Sequence, residues 1–185
     1  VSRVINRSPQ VGQKTRDKAE QIIKEVNFSP DKQARGLASS RSYLLGLIYD
    51  SFDALSTAQV QQGALSICAD LGYELVVHPC KSQEDNFIEE CLNSISRSKL
   101  DGVIILSPIS ENKQLAAALR AAGCPYVRIA SVDFDDKENI VVSDEREAMK
   151  EMANHFVELG HTDIAYISGP LQYRSSIERM EGFIF

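Results

Sequence analysis

Gly102-Val103-Ile104-Ile105-Leu106 is an unbroken apolar run, the composition of a strand covered on both faces rather than one with a wet side. Helix patterns flank it. Upstream, Ser82 and Asp85 form an S-x-x-D start signal, followed by the apolar face Phe87, Ile88, Cys91, Leu92 and Ile95. Downstream, Leu115, Ala118, Leu119 and Ala122 stripe a helix that Gly123 ends. The alternation continues in both directions. Strands are expected over 44–49, 73–78, 126–130, 140–142 and 164–168, the last closed by Gly169-Pro170. A helix over 57–71 turns Val60, Ala64, Ile67, Cys68 and Leu71 inward, with Gly72 as its cap. Another over 145–159 turns Ala148, Met149, Met152, Ala153 and Phe156 inward and stops at Gly160. Repeated β-α units at this spacing predict an α/β fold with a parallel sheet and helices on both faces. Ligands of such sheets sit beyond the carboxyl ends of the strands. Asp50, Ser51, His78, Ser107, Ala130, Ser168 and the segment after Pro170 fall there.

Charge divides the chain more sharply than it totals. Of 185 residues, 43 % are hydrophobic and 25 % charged, enough apolar content to bury a core. The net charge of −6 taken alone argues against a nucleic-acid partner. Residues 1–41, however, hold nine Lys/Arg and four Asp/Glu, a net of +5, which leaves −11 on residues 42–185. A basic arm for a polyanion joined to an acidic body fits that asymmetry. No apolar run reaches the roughly 20 residues of a membrane helix, and the chain opens on Val1 rather than Met, so it reads as a piece of a longer protein. Cys68, Cys80, Cys91 and Cys124 form no CxxC pair and the three histidines have no ligand spacing. The scattered thiols read as small buried side chains of a reducing cytoplasm, with no metal site expected. There is no GxSxG, P-loop, GxGxxG or HExxH, so neither an enzyme nor a cofactor is expected.

The first 41 residues follow another pattern. Val4 and Ile5 sit at the tail of a short helix, and Ala19, Ile22, Ile23 and Val26 give residues 13–26 a one-faced amphipathic helix. Pro30 and Asp31 start a further helix over 32–38. At roughly eight residues it is too short to persist alone in water, and Gly36 weakens it by about another 1 kcal/mol. Order there is expected only when something binds it.

Taken together, Val1-Ser2-Arg3-Val4-Ile5-Asn6, the helix beginning near Lys14-Thr15-Arg16, and Asn27-Phe28-Ser29-Pro30 before Ala34-Arg35-Gly36-Leu37 resemble the lactose-repressor (LacI/GalR) family of bacterial transcription regulators. Leu45-Gly46-Leu47-Ile48, Leu159-Gly160-His161 and Arg179-Met180-Glu181-Gly182-Phe183 extend the likeness over essentially the whole chain. The resemblance implies a helix-turn-helix headpiece, a hinge helix and a two-lobed core of the type I periplasmic-binding-protein-like fold. It places the remnant of the headpiece at 1–26, hinge and linker at 27–43, the first lobe at 44–142 and the start of a truncated second lobe at 143–185.

For function, the resemblance implies a cytoplasmic, sequence-specific repressor controlled by a small effector, a sugar or glycoside. Ser2, Arg3 and Asn6 match the end of the family's recognition helix, where arginine bridges guanine O6 and N7. Lys14, Thr15 and Arg16, at a helix start, suit phosphate. Leu37 matches a leucine that wedges into the minor groove, with Ala34 and Arg35 flanking it. Two hinge helices would meet on a near-palindromic operator, which implies a homodimer or higher homo-oligomer. Arg179 matches the family's effector-contacting arginine, with Tyr173 and Ser175 near it in sequence. Asp50 and Asp53 have two readings, acceptors for sugar hydroxyls or turn and N-cap residues. Asp144 and Glu145 read as helix-start residues. Ala130 departs from the family, which often carries Asp there. The competing reading is a sugar-binding receptor without a DNA role, sharing the body but not the basic arm.

Overall fold

A computed structural model describes residues 2–5, 8–26, 41–50, 54–130 and 139–184, with Ser2 and Ile5 described by backbone alone. The chain forms two compact units, Val1–Ser42 and Tyr43–Phe185. In the first, α1 (Ser2–Ile5) packs against α2 (Gln13–Glu25). Val4 is buried, whereas Ile22 and Val26 on the α2 stripe remain exposed. Gly12 precedes α2 without a side-chain cap, and the Thr15 and Arg16 amides bond back to its carbonyl at 3.1 Å. The expected 32–38 helix lies outside the described residues.

The second unit contains β1 (Leu44–Asp50), α3 (Ala54–Leu71), β2 (Glu74–Cys80), α4 (Phe87–Ser98), β3 (Gly102–Ile105), α5 (Lys113–Ala121), β4 (Tyr126–Ala130), β5 (Ile140–Val142), α6 (Glu145–Glu158) and α7 (Arg174–Ile184). All five strands run parallel in the order β2-β1-β3-β4-β5. Right-handed crossovers explain the layering. The step from β1 to β2 goes one way across the sheet, and those from β2 to β3 and β3 to β4 go the other, so α3 covers one face and α4 with α5 the opposite one. Leu47 and Ile48 of β1, on alternate faces, are both fully buried. The core lies under α4 and α5, where Ile48, Val103, Ile105, Cys91, Leu115 and Leu119 meet. Strand order reverses at β1, which makes the carboxyl end of that strand a ligand crevice.

Four expectations need correction. Residues 161–170 are irregular rather than a strand at 164–168. A strand exists only by pairing, no described strand lies beside this segment, and Ile167 is 95 % exposed. Tyr166 instead stacks on Phe183 at 5.0 Å between ring centres. Ser82 and Asp85 do not start a helix: α4 begins at Phe87 with Asn86 before it, because Ser82 is drawn to Asp50. Of the α3 face only Cys68 is buried, and Ile67 and Leu71, one turn apart, are exposed. On α6, Met149, Ala153 and Phe156 are half-buried but Ala148 and Met152 face water, since that helix packs mainly on α7.

Among the described residues no helix is long and apolar enough to cross a membrane. No group of three or more His, Cys, Asp or Glu among them could hold a metal ion.

Candidate functional site

Beyond the carboxyl ends of the strands the second unit contains a cleft of about 450 Å³. Asp50 enters it from the end of β1 and Ala130 from the end of β4; Tyr173, Ser175 and Arg179 come from α7 and the turn before it. Ser175 and Arg179 share a helix face because they are four apart. The turn is set by backbone bonds from the Tyr173 amide to the Pro170 carbonyl and from the Ser176 amide to the Tyr173 carbonyl, each 3.1 Å. Asp50, Tyr173, Ser175 and Arg179, each singled out from the sequence for an effector, therefore line one cavity. Ser56 and Thr57 of α3, Ser107 and Ser143 add hydroxyls, while Val60, Leu106 and Ile129 add apolar wall. Carboxylates that accept, a guanidinium that donates and hydroxyls that do both suit a small polar molecule.

Two details separate the readings left open by the sequence. Asp50 Oδ2 accepts from the Ser82 amide at 3.1 Å and from the Ser82 hydroxyl at 2.5 Å, so the carboxylate orders the loop after β2 while also lining the cleft. Asp53 lies outside the described residues. Asp144 is a helix-start residue, its Oδ1 accepting from the Glu147 amide at 3.1 Å. Glu145 does more. Its carboxylate takes the Nε proton donor of Arg179 and the Ser143 hydroxyl, the latter at 3.0 Å, inside the cleft. Partial burial pushes the Glu145 carboxyl up, but the bonds from Arg179 and Ser143 outweigh it and hold the group below its ordinary value. The sequence carried no signal for this pair, because no periodicity links two residues 34 apart.

Arg179 is fixed by the packing of α7 on α6. Glu178, buried beside it, accepts from Arg146 at 2.8 Å and meets Arg174 at 2.5 Å, while Glu181 takes the other arm of Arg146. The Arg146 bond, assisted by Arg174, holds the Glu178 carboxyl low against the opposing pull of burial. Both glutamates therefore resist protonation in the folded state. Their stabilisation is fully present above the ordinary unfolded value of about 4.3 and is lost as pH falls through the lower folded values. The difference in urea midpoint between wild type and Glu178→Gln should be flat from neutral pH to about 5 and shrink below about 4. A difference that holds constant to pH 3 would show that the ionised Glu178 carboxylate adds no stability.

Arg128 is another charge the strand pattern did not mark. Fully buried in β4, it donates to the Ser110 carbonyl at 3.4 Å.

In the first unit, Arg3, Lys14 and Thr15 are exposed. Arg16, half-buried, donates from Nη2 to the Ser8 carbonyl at 3.0 Å, so part of its fork is spent on the turn before α2. Ser2 is described by backbone alone, and Asn6, Ala34, Arg35 and Leu37 lie outside the described residues.

The family profile for bacterial regulatory proteins of the lacI family matches residues 1–31. That for periplasmic binding proteins and the sugar binding domain of the LacI family matches residues 43–184. The chain belongs to the LacI family. Its sequence is 28 % identical over 185 residues to the lactose operon repressor of Escherichia coli (strain K12), covering 99 % of this chain and 51 % of that one. It is 27 % identical to catabolite control protein A of Priestia megaterium, over 93 % of this chain and 51 % of the relative. This LacI-family chain thus spans about half the length of the curated relatives it matches. A crystal structure of the Lac repressor dimer bound to operator and the anti-inducer ONPF superposes with a TM-score of 0.70 at 28 % identity, covering 99 % of this chain and 55 % of that one. The complex of the transcriptional regulator CelR with cellobiose superposes at 0.64 and 25 % identity, over 98 % and 54 %.

Proposed function

We propose that this LacI-family protein is a DNA-binding transcription repressor whose operator affinity is set by a small sugar or glycoside held in the cleft at Asp50, Tyr173, Ser175 and Arg179. One observation carries the reading: residues far apart in sequence, from β1 and α7, converge on one cavity at the strand-order reversal, in a chain whose first 41 residues alone are basic. Relatives named as a repressor dimer on operator and as a regulator with cellobiose agree with both halves.

Residues 1–26 belong to the headpiece, 27–43 to hinge and linker, 44–142 to the first lobe and 143–185 to the second. Arg3 with Ser2 and Asn6 reads base edges, Lys14, Thr15 and Arg16 hold phosphate, and Leu37 opens a base step while Ala34 and Arg35 flank the groove. The effector favours one arrangement of the lobes, and only that difference in affinity between states moves the operator equilibrium. A second copy covers the exposed Ile67 and Leu71 of α3, giving a two-fold dimer suited to a near-palindromic site. The reading assigns no reaction and no cofactor to the cleft, and a DNA partner places the protein in the cytoplasm.

Fluorescence anisotropy with the full-length protein and its operator at fixed salt tests this. Addition of the matching sugar should shift the dissociation constant at least tenfold, and Leu37→Ala should weaken binding by a similar factor. Indifference to DNA at low ionic strength would overturn the reading; unchanged affinity in Leu37→Ala would remove the wedge.

A further inference from the structure

Cys80 and Cys91 are eleven residues apart in sequence, and their sulfurs lie 2.9 Å from one another. The first ends the edge strand β2 and is half-buried; the second is fully buried in α4. We propose that this pair is an oxidation site, a dithiol that peroxide converts to an intramolecular disulfide beside the cleft.

The geometry sets the chemistry. A disulfide needs its sulfurs at about 2.0 Å, so closure asks for a movement of about 1 Å between two side chains already in contact. One S–H donates to the other sulfur. That bond, burial, and the nearby charges of Asp50 and Glu90 hold the Cys80 thiol up. The same bond lowers Cys91 against the opposing effects of burial and Glu90. The two sulfurs therefore share a proton, and the pair carries a thiolate more readily than an isolated buried cysteine. Accessibility divides the roles. When the shared proton sits on Cys91, the half-exposed Cys80 sulfur meets the peroxide as the thiolate, gives up an electron pair to one oxygen, and becomes a sulfenic acid as the O–O bond breaks and the departing hydroxide takes a proton from solvent to leave as water. Cys91 then attacks the Cys80 sulfur; the S–O bond breaks, the hydroxide leaves as water with the thiol proton, and the S–S bond forms. Two thiols and one hydrogen peroxide become one disulfide and two waters. Cys68 and Cys124 have no such neighbour among the described thiols.

Position gives the bond a consequence. Cys80 is the register partner of Asp50, and the loop that the disulfide would close contains Ser82, whose amide and hydroxyl hold Asp50 Oδ2. Oxidation thus ties the Asp50 corner of the cleft to the core through α4.

The test exposes the protein to a modest excess of hydrogen peroxide, alkylates the remaining thiols and maps peptides without reduction. The expected product joins the Cys80 and Cys91 peptides at their summed mass less two hydrogens, with Cys68 and Cys124 alkylated and full reversal by dithiothreitol. Cys91→Ser should instead accumulate a Cys80 sulfenic acid that dimedone traps. In Cys80→Ser the buried Cys91 should react at least tenfold more slowly than Cys80 does in wild type, and Cys124→Ala should keep the bridge. Hydrogen exchange at the Ser82 amide should slow several-fold on oxidation. Alkylated Cys80 and Cys91 after an exposure that consumes free glutathione, a sulfinic acid at Cys80 without a bridge, or a bridge through Cys68 or Cys124 would each overturn the site. A bridge that leaves Ser82 exchange unchanged would overturn its coupling to the cleft. None of these readouts depends on the identity of the effector.

Discussion

Gly182→Ala is expected to destabilise the protein by about 3 kcal/mol, the upper end of what overpacking costs. A Cβ built at Gly182 falls 2.8 and 2.9 Å from the backbone carbon and Cα of Arg146 and closer still to its carbonyl oxygen. Those are backbone atoms of α6, and no rotamer change can move them. The helices must separate. Separation would stretch the Arg146–Glu178 bond and the Arg179–Glu145 pair, both of which cross the α6–α7 seam. A buried glutamate that loses its partner keeps its desolvation cost, so the packing and electrostatic penalties add. Thermal melting checks this, with Ile184→Ala as a control because that neighbour on α7 is exposed. A melting temperature within a degree or two of wild type would mean that the helices do not approach as closely as Gly182 implies.

Arg179→Ala should remove most effector affinity, by a factor of roughly 10 to 100, the range expected when a charge-assisted hydrogen bond of about 1.5–3 kcal/mol is lost. Two effects reinforce one another. The ligand loses a planar donor that no other described side chain of the cleft duplicates in shape. Glu145, which Arg179 neutralises, is left as a part-buried carboxylate that repels acceptor groups and competes for the Ser143 hydroxyl. Glu145→Gln separates these effects, because it leaves the guanidinium in place and removes only its counter-charge. Isothermal titration with the sugar that shifts operator binding should therefore show a large loss in Arg179→Ala and a smaller change in Glu145→Gln. Equal affinities for wild type and Arg179→Ala would take Arg179 out of the site while leaving the headpiece reading untouched.

Local physics accounts for how much of this was legible. The continuous run at 102–106, the alternation around it and the cap at Gly123 are short-range signals, and the sheet and the α4 and α5 faces follow from them. Asp50 and Arg179 were legible as candidates because strand ends and an R-x-x-G-F motif mark them. The exposed face of α3 shows the limit of periodicity: a stripe says that a helix has an apolar side, not that this chain provides what covers it. Ser82 shows another limit, since its hydroxyl suits an N-cap as well as a distant carboxylate, and Asp50 won.

By itself the amino-acid order determined the layer architecture, the basic arm and the family, since each rests on spacing and composition that a chain carries before it folds. Only the tertiary structure decided that Glu145 faces Arg179, that Gly182 lets α6 and α7 touch, and that Cys80 and Cys91 are neighbours. Contacts between residues tens of positions apart depend on how helices and strands are placed, and elements packed to near-crystalline density bring particular atoms within bonding reach that no local pattern encodes.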